Sequence, residues 1–208
     1  MAQDASNPFI SDDTRQLAAY IVGAGFEQTP EDVLEKARHH LLDTLAAMVS
    51  GSRLRAGVLA SAYLASMGGR GSCNVAGTRL QTSAVDAALA NGMMAHGDET
   101  DDSHLGGRFH PGCGIVPCVL AAAQLKPANG LAMLRALALG YDVGARFNVS
   151  LGPRKLYAGG HSTHSVGPLF GGAAAAASLL HLNEEQVRYV LAYTCLLYTS
   201  DAADDMQC

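Results

Sequence analysis

Tryptophan is absent from the 208 residues, and aromatic side chains make up only 6% of them. A core built on aromatic anchors is therefore excluded. With 49% apolar residues and 23 glycines, the filler is aliphatic, Ala and Gly, which favours helices packed closely through small side chains. Basic residues are also scarce: 14 Lys and Arg stand against 19 Asp and Glu, for a net charge of −5. No basic stripe exists to neutralise phosphates, so nucleic acid is excluded as a partner. No apolar run reaches the roughly 18 residues of a membrane span. The opening MAQDASNPFISDD lacks the basic and apolar regions of a signal peptide. The cysteines, at 73, 113, 118, 195 and 208, are odd in number, widely spaced and without a CxxC pair. They suggest neither a disulfide framework nor a zinc site, and a reducing cytoplasm fits this usage. Cys113 and Cys118 read as buried small residues. Finally, no Val/Ile/Thr alternation of useful length and no fixed-period repeat occurs, which disfavours all-β and doubly wound folds.

What remains is helical periodicity. Thr29 as a cap, Pro30 at the first helical position and Glu31-Asp32 at the positive dipole end start one helix. Its stripe is Val33, Leu34, Ala37, Leu41, Leu45 and Met48, and Gly51 ends it. Further helices are expected over 13–22, 56–67, 83–96 (carrying Val85, Ala88, Leu89 and Met93), 115–125 and 131–147. The Ala/Gly-rich stretch 165–182 reads as a buried, tightly packed helix. Asn183 and Gln186 form a capping box for one more. Residues 71–78 read as extended or loop, and 97–112 and 152–164 as loops. The expectation is an all-α array of seven to eight helices.

Chemistry-bearing residues fall in the two longer loops. The first joins His96, Asp98, Glu99, Asp101, Asp102, Ser103 and His104 to His110-Pro111-Gly112. Crowded carboxylates repel one another and shift each other's pKa, and imidazole is the group best poised to move protons near neutrality. The second, Gly159-Gly160-His161-Ser162-Thr163-His164-Ser165, leads straight into the Ala/Gly helix. Amides and hydroxyls at a helix N-terminus suit an anion, beside which a histidine can act as acid or base. Taken singly, each loop also fits a solvated acidic turn or a capping segment.

The ordered set of motifs resembles the 2-methylcitrate dehydratase and cis-aconitate decarboxylase family (MmgE/PrpD). It comprises Ala37-Arg38 with Leu41-Leu42-Asp43-Thr44-Leu45, Ala87-Ala88-Leu89-Ala90-Asn91-Gly92 with Ala95-His96, and Asp101-Asp102-Ser103-His104. His110-Pro111-Gly112, Gly140-Tyr141-Asp142-Val143-Gly144-Ala145-Arg146, and His161 ahead of Ala173–Ala177 complete it. The resemblance spans about residues 15–194. It implies the N-terminal part of a large helical domain, with an α+β lid domain lying outside this chain, and a homodimer. It also implies a lyase acting on a small di- or tricarboxylate without metal or organic cofactor. His110, His161 and Asp102 are the catalytic residues it points to, with Glu99, Ser103 and His104 contacting substrate. Glu99 stands where Asp is common, Ser103 where Thr is common, and the family's lysine and later tyrosine belong beyond residue 200. Arg108 is a possible carboxylate clamp, though a surface role ranks higher.

Two other readings stay open on the residues alone. His96, Asp98, Asp101, Asp102, His104 and His110 could serve a metal-dependent hydrolase, although no HExxH-like spacing fixes two ligands on one helix face. A non-catalytic helical scaffold is the other. The stretch from Cys195 to Cys208 breaks the helical pattern and reads as a non-native read-through tail, which sets the helical domain at 1–194. In that reading the chain is a fragment, inactive by itself.

Overall fold

The computed structural model describes residues 10–24 and 29–199, the last three by their backbone alone. Among the described residues lie nine helices: α1 (Asp12–Ala24), α2 (Glu31–Gly51), α3 (Arg55–Met67), α4 (Ala84–Ala95), α5 (Gly112–Leu125), α6 (Gly130–Leu151), α7 (Pro153–Ala158), α8 (Thr163–Leu179) and α9 (Glu184–Thr199). One antiparallel hairpin, β1 (Cys73–Asn74) with β2 (Gln81–Thr82), pairs Cys73 with Thr82. The domain is all-α, as its periodicity indicates. No helix among the described residues is long and apolar enough to cross a membrane.

Most helix starts follow from their capping chemistry. Ser83, Asn129 and Ser162 accept the amides of Asp86, Ala132 and His164 with their side chains, at the starts of α4, α6 and α8. The capping box forms as read: the Asn183 amide donates to Gln186 Oε1 and the Gln186 amide to Asn183 Oδ1, both at 3.0 Å. Two expectations need correction. Pro30 precedes the first helical residue of α2 and no side chain caps it, so Thr29 is not the cap. The stretch expected as a loop over 152–164 contains α7, which opens at Pro153 and closes at Gly159. α9 continues through Cys195–Thr199 without a break, and residues 200–208 of the expected tail lie outside the described residues.

α6 and α8 form the central pair, and their backbones touch. A Cβ on Gly144 would come 2.5 Å from the Gly167 carbonyl, and one on Gly171 would come 2.4 Å from the Gly140 carbonyl. Only glycine permits this approach. One apolar cluster, around Met48, Met94, Ile115, Val116 and Leu137, binds α2, α4, α5 and α6 together. A second, around Ile21, Val143, Val166, Val187 and Leu191, joins α1, α6, α8 and α9. Each such fully buried aliphatic contributes about 1.5–3 kcal/mol relative to exposure.

The face α4 presents to the core is opposite to the one its larger residues suggest. Ala87, Ala90, Met94 and Ala95 point inward, while Val85, Leu89 and Met93 stay exposed. Small side chains win because α4 lies close against α2 and α5. In α5 and α8 a proline (Pro117, Pro168) sits inside the helix. It removes the amide that would reach the carbonyl four residues back, on Cys113 and His164 respectively. Gly114 of α5 lies against Pro168 of α8, so the N-terminal turns of these two helices adjoin. The C-terminal end of α4 meets them there.

Candidate functional site: imidazoles around a buried carboxylate

His96 caps the C-terminus of α4, and the chain then loops back through 97–111 to start α5. Asp101 in this loop has a fully buried side chain. The Nδ1 of His96 lies 3.1 Å from Asp101 Oδ1, and the Nδ1 of His110 lies 3.4 Å from the same oxygen. His110 Nδ1 also lies 3.3 Å from the Asp101 carbonyl. His164, in the first turn of α8, stacks on His110 with ring centroids 5.1 Å apart and lies 6.1 Å from His96. Three imidazoles from three elements thus gather about one buried carboxylate. Burial, followed by the fields of His110 and His96, lowers the His164 pKa below its usual value. That ring is a neutral base at neutral pH.

Asp102, one of the catalytic residues the resemblance points to, turns away from this cluster. Its Oδ2 accepts from the Tyr141 hydroxyl at 2.8 Å and lies 2.7 Å from His40 Nδ1, while its Oδ1 accepts the Gly112 amide at 2.8 Å. Burial works to raise its pKa, but the bonds to His40, Tyr141 and Gly112 outweigh it and hold the carboxyl below its usual range. Burial and the Asp102 charge push the Tyr141 hydroxyl far up, so it stays a donor. A Cβ on Gly112 would meet Thr44 Oγ1 at 2.4 Å and Asp102 Oδ1 at 2.7 Å, a local reason for the glycine of His-Pro-Gly. Burial and the nearby Asp101 raise the Cys113 thiol to about 12, so it is protonated.

The two loops are tied to each other. Buried Asn148 of α6 donates through Nδ2 to the carbonyls of Gly107 (3.2 Å) and Thr163 (2.7 Å). The Thr163 hydroxyl donates to the Arg108 carbonyl and pairs with the Tyr157 hydroxyl of α7 at 2.9 Å. Inside the first loop His104 bridges to Phe109, and its Nδ1 accepts the Gly107 amide at 2.9 Å. His104, expected to touch substrate, therefore spends one ring nitrogen closing its own loop. Glu99 and Arg108 have left-handed backbones (φ 54° and 53°), a strain that persists only where the surroundings impose it. Glu99 and Ser103 are exposed at the loop surface. His161 is exposed too, its amide donating to the Leu156 carbonyl. It lies three residues before His164, ahead of the α8 cap, and it is His164 that stacks on His110.

The shifts of His164 and Asp102 set an acid response. Both groups are more acidic in the folded than in the unfolded chain, so the unfolded state takes up protons first and stability falls as pH falls. The His164 contribution is present above about pH 6.5, the ordinary imidazole value, and is lost as pH drops through its lower folded value. The Asp102 contribution is present above about pH 4 and is lost below it. Melting temperature followed against pH is expected to decline in two stages. His164→Asn is expected to remove the upper stage and keep the lower.

A helical bundle whose helix ends converge three imidazoles on a buried carboxylate is a framework suited to proton transfer. The chain belongs to the MmgE/PrpD family: the family's N-terminal domain matches residues 15–201. It is 30% identical to the cis-aconitate decarboxylase-like protein oryM of Aspergillus oryzae over 193 residues, covering 88% of this chain and 39% of that protein. It is 25% identical to the cis-aconitate decarboxylase of Aspergillus terreus over 198 residues, covering 93% and 40% respectively. The chain thus spans about two fifths of the length of these relatives.

Proposed function

We propose that this domain supplies the proton-transfer half of a lyase that acts on a small di- or tricarboxylate without a metal or organic cofactor. The observation that carries the reading is the placement of His96, His110 and His164 around buried Asp101. The names of the relatives support decarboxylation of a cis-aconitate-like substrate, and 2-methylcitrate dehydration uses the same parts. In dehydration a base takes the proton α to a carboxylate, the C–H pair becomes the new double bond, and the β-hydroxyl leaves as water with a proton from an acid. In decarboxylation the C–CO2 bond breaks and its electron pair is captured by a proton from the acid.

Both reactions need an imidazole that can give or take a proton at a fixed place. His110 is fixed by Asp101, and His161 stands on the exposed rim just ahead of α8, able to meet substrate from the second loop. Asp102 acts through the fold, fastening Gly112 and hence the His110 loop, while exposed Glu99 and Ser103 are available to substrate. The exposed row Val85, Leu89 and Met93 supports a homodimer. Turnover of cis-aconitate, citrate and 2-methylcitrate by the longest open reading frame containing this chain, in chelator-treated buffer, tests the reading. Conversion of at least one is expected. Complete inactivity of a folded protein on all three, or activity only after metal is restored, would sink it.

A further inference from the structure

At the end of the central helix pair remote from the imidazoles, the start of α6, the end of α8 and the start of α9 line a cavity of about 440 Å³. Its polar residues are Arg135, Asn129, Asn183, Ser178 and His181. The rest of the wall is apolar, with Ile21, Leu179 and Val187 in it. We propose that this cavity binds a small monocarboxylate with a short aliphatic body, its carboxylate held by Arg135. The proposal does not rest on the lyase reading.

Arg135 is half-buried, and its Nε is enclosed without a hydrogen-bond partner. It is the one charged group in that condition among the described residues, the others being Ser61 Oγ and Asn148 Oδ1. Arg38 and Arg146 each hold a carboxylate, at 2.9 and 2.8 Å, whereas Arg135 holds none among the described residues. The positions three and four away on its own helix are Leu131, Ala132, Ala138 and Leu139, so no ion pair along α6 can form. No described carboxylate lines the cavity. The carbonyls that end α8 are also taken. Ala176, Ala177 and Ser178 accept the amides of Leu180, Leu182 and His181, and the Leu180 carbonyl accepts Lys126 Nζ at 3.0 Å. A guanidinium has N–H donors only, and leaving one buried and unpaired is costly. A carboxylate is the acceptor whose two oxygens match two of those donors at once.

The neighbouring groups agree in sign. Asn129 and Asn183 each use Oδ1 to cap a helix, accepting the amides of Ala132 and Gln186, so what each has left is an N–H2 donor. The positive dipole ends of α6 and α9 lie at the cavity with them. Arg135 is the only Arg or Lys among the described lining residues, so one carboxylate matches it. A second anionic group would stand unpaired against an apolar wall. Pockets of about 300–1,000 Å³ with mostly apolar linings hold small organic molecules, which sets the aliphatic body. The cavity is separate from the imidazole cluster: an α-helix rises about 1.5 Å per residue, which puts Ser178 roughly 20 Å along α8 from His164. In the sequence Arg135 is a lone charge in the apolar run 131–139, and only the tertiary arrangement of α8 and α9 forms the cavity around it.

The test uses the longest reading frame containing this chain, with sodium hexanoate as the probe and hexanamide as its uncharged match. Calorimetry is expected to show saturable binding of one hexanoate per chain, and the melting temperature should rise with ligand. Hexanamide should bind roughly tenfold or more weakly, the loss expected when a charge-assisted bond is removed. Arg135→Met keeps the side-chain length and removes the charge, so it should no longer distinguish hexanoate from hexanamide. Ala132→Leu fills the cavity and leaves the charge in place. It should abolish binding, and it decides the matter if Arg135→Met does not fold. Saturating cis-aconitate should leave the hexanoate affinity unchanged, because the two sites are separate. Four results would each overturn the assignment: no saturable binding by the folded parent, equal binding of hexanamide, unchanged hexanoate affinity in either variant, or displacement by cis-aconitate.

Discussion

Asp101→Asn is expected to lower polycarboxylate turnover by about 10²- to 10⁴-fold, the range in which a positioned acid–base group contributes. The carboxylate is fully buried, with His96 Nδ1 at 3.1 Å and His110 Nδ1 at 3.4 Å from one of its oxygens. Asparagine matches its shape, yet it removes the charge and presents an amide N–H to at least one ring. The rings lose their common anchor, and an imidazolium formed during turnover loses its counter-charge. Because Asp101 acts through the imidazoles, it is a positioning residue, and its loss should lower kcat far more than it changes KM. Asp102→Asn acts differently. It weakens the bonds to Tyr141, His40 and the Gly112 amide, so its main effect should be on stability. Turnover in Asp101→Asn within about threefold of the parent would remove Asp101 from the site. A far larger loss in Asp102→Asn with no change in melting would restore Asp102 to it.

The largest stability effect is expected at Gly144→Val. Its Cβ would lie 2.5 Å from the Gly167 backbone carbonyl, and a backbone cannot swing aside as a side-chain end can. α6 and α8 would have to separate, opening the second apolar cluster around Val143, Val166 and Phe170. Overpacking of this kind costs on the order of 3 kcal/mol, which corresponds to roughly 6–12 °C in melting temperature for a domain of this size. The helix propensity gained by replacing glycine offsets less than about 1 kcal/mol of it. The separation would also move Asn148, which sits on α6 and ties both loops, so turnover should fall with stability. A Gly144→Val chain that melts with the parent would show that the two backbones do not touch.

The order of the longer helices and the position of the first loop are legible in the chain because they depend on local chemistry. The Asn183–Gln186 box, the Ser83 and Ser162 caps and the paired glycines act within a few residues of themselves. What sequence reading missed depends on which side of an element faces inward. α4 buries its alanines and exposes Val85, Leu89 and Met93, since closeness to its neighbours decides the matter over hydrophobicity. Asp101 and Asp102 are consecutive, and nothing local says which carboxylate turns toward the imidazoles and which toward Tyr141. His161 lies before the cap of α8 and His164 inside its first turn. Ser162 capping α8 puts His164 in the first turn, a signal that was available in the chain. The His40–Asp102–Tyr141 link joins α2, the first loop and α6, and only tertiary structure brings them together.

The most direct test of the central claim is a histidine footprint. The longest reading frame containing this chain is treated with diethyl pyrocarbonate, with and without saturating cis-aconitate, and the rate at each ring is read by peptide mass. The expected result is that substrate slows modification of His110 and His164 at least tenfold, while His39 and His181 react at unchanged rates. Equal protection of every histidine, or none at His110 and His164, would contradict it.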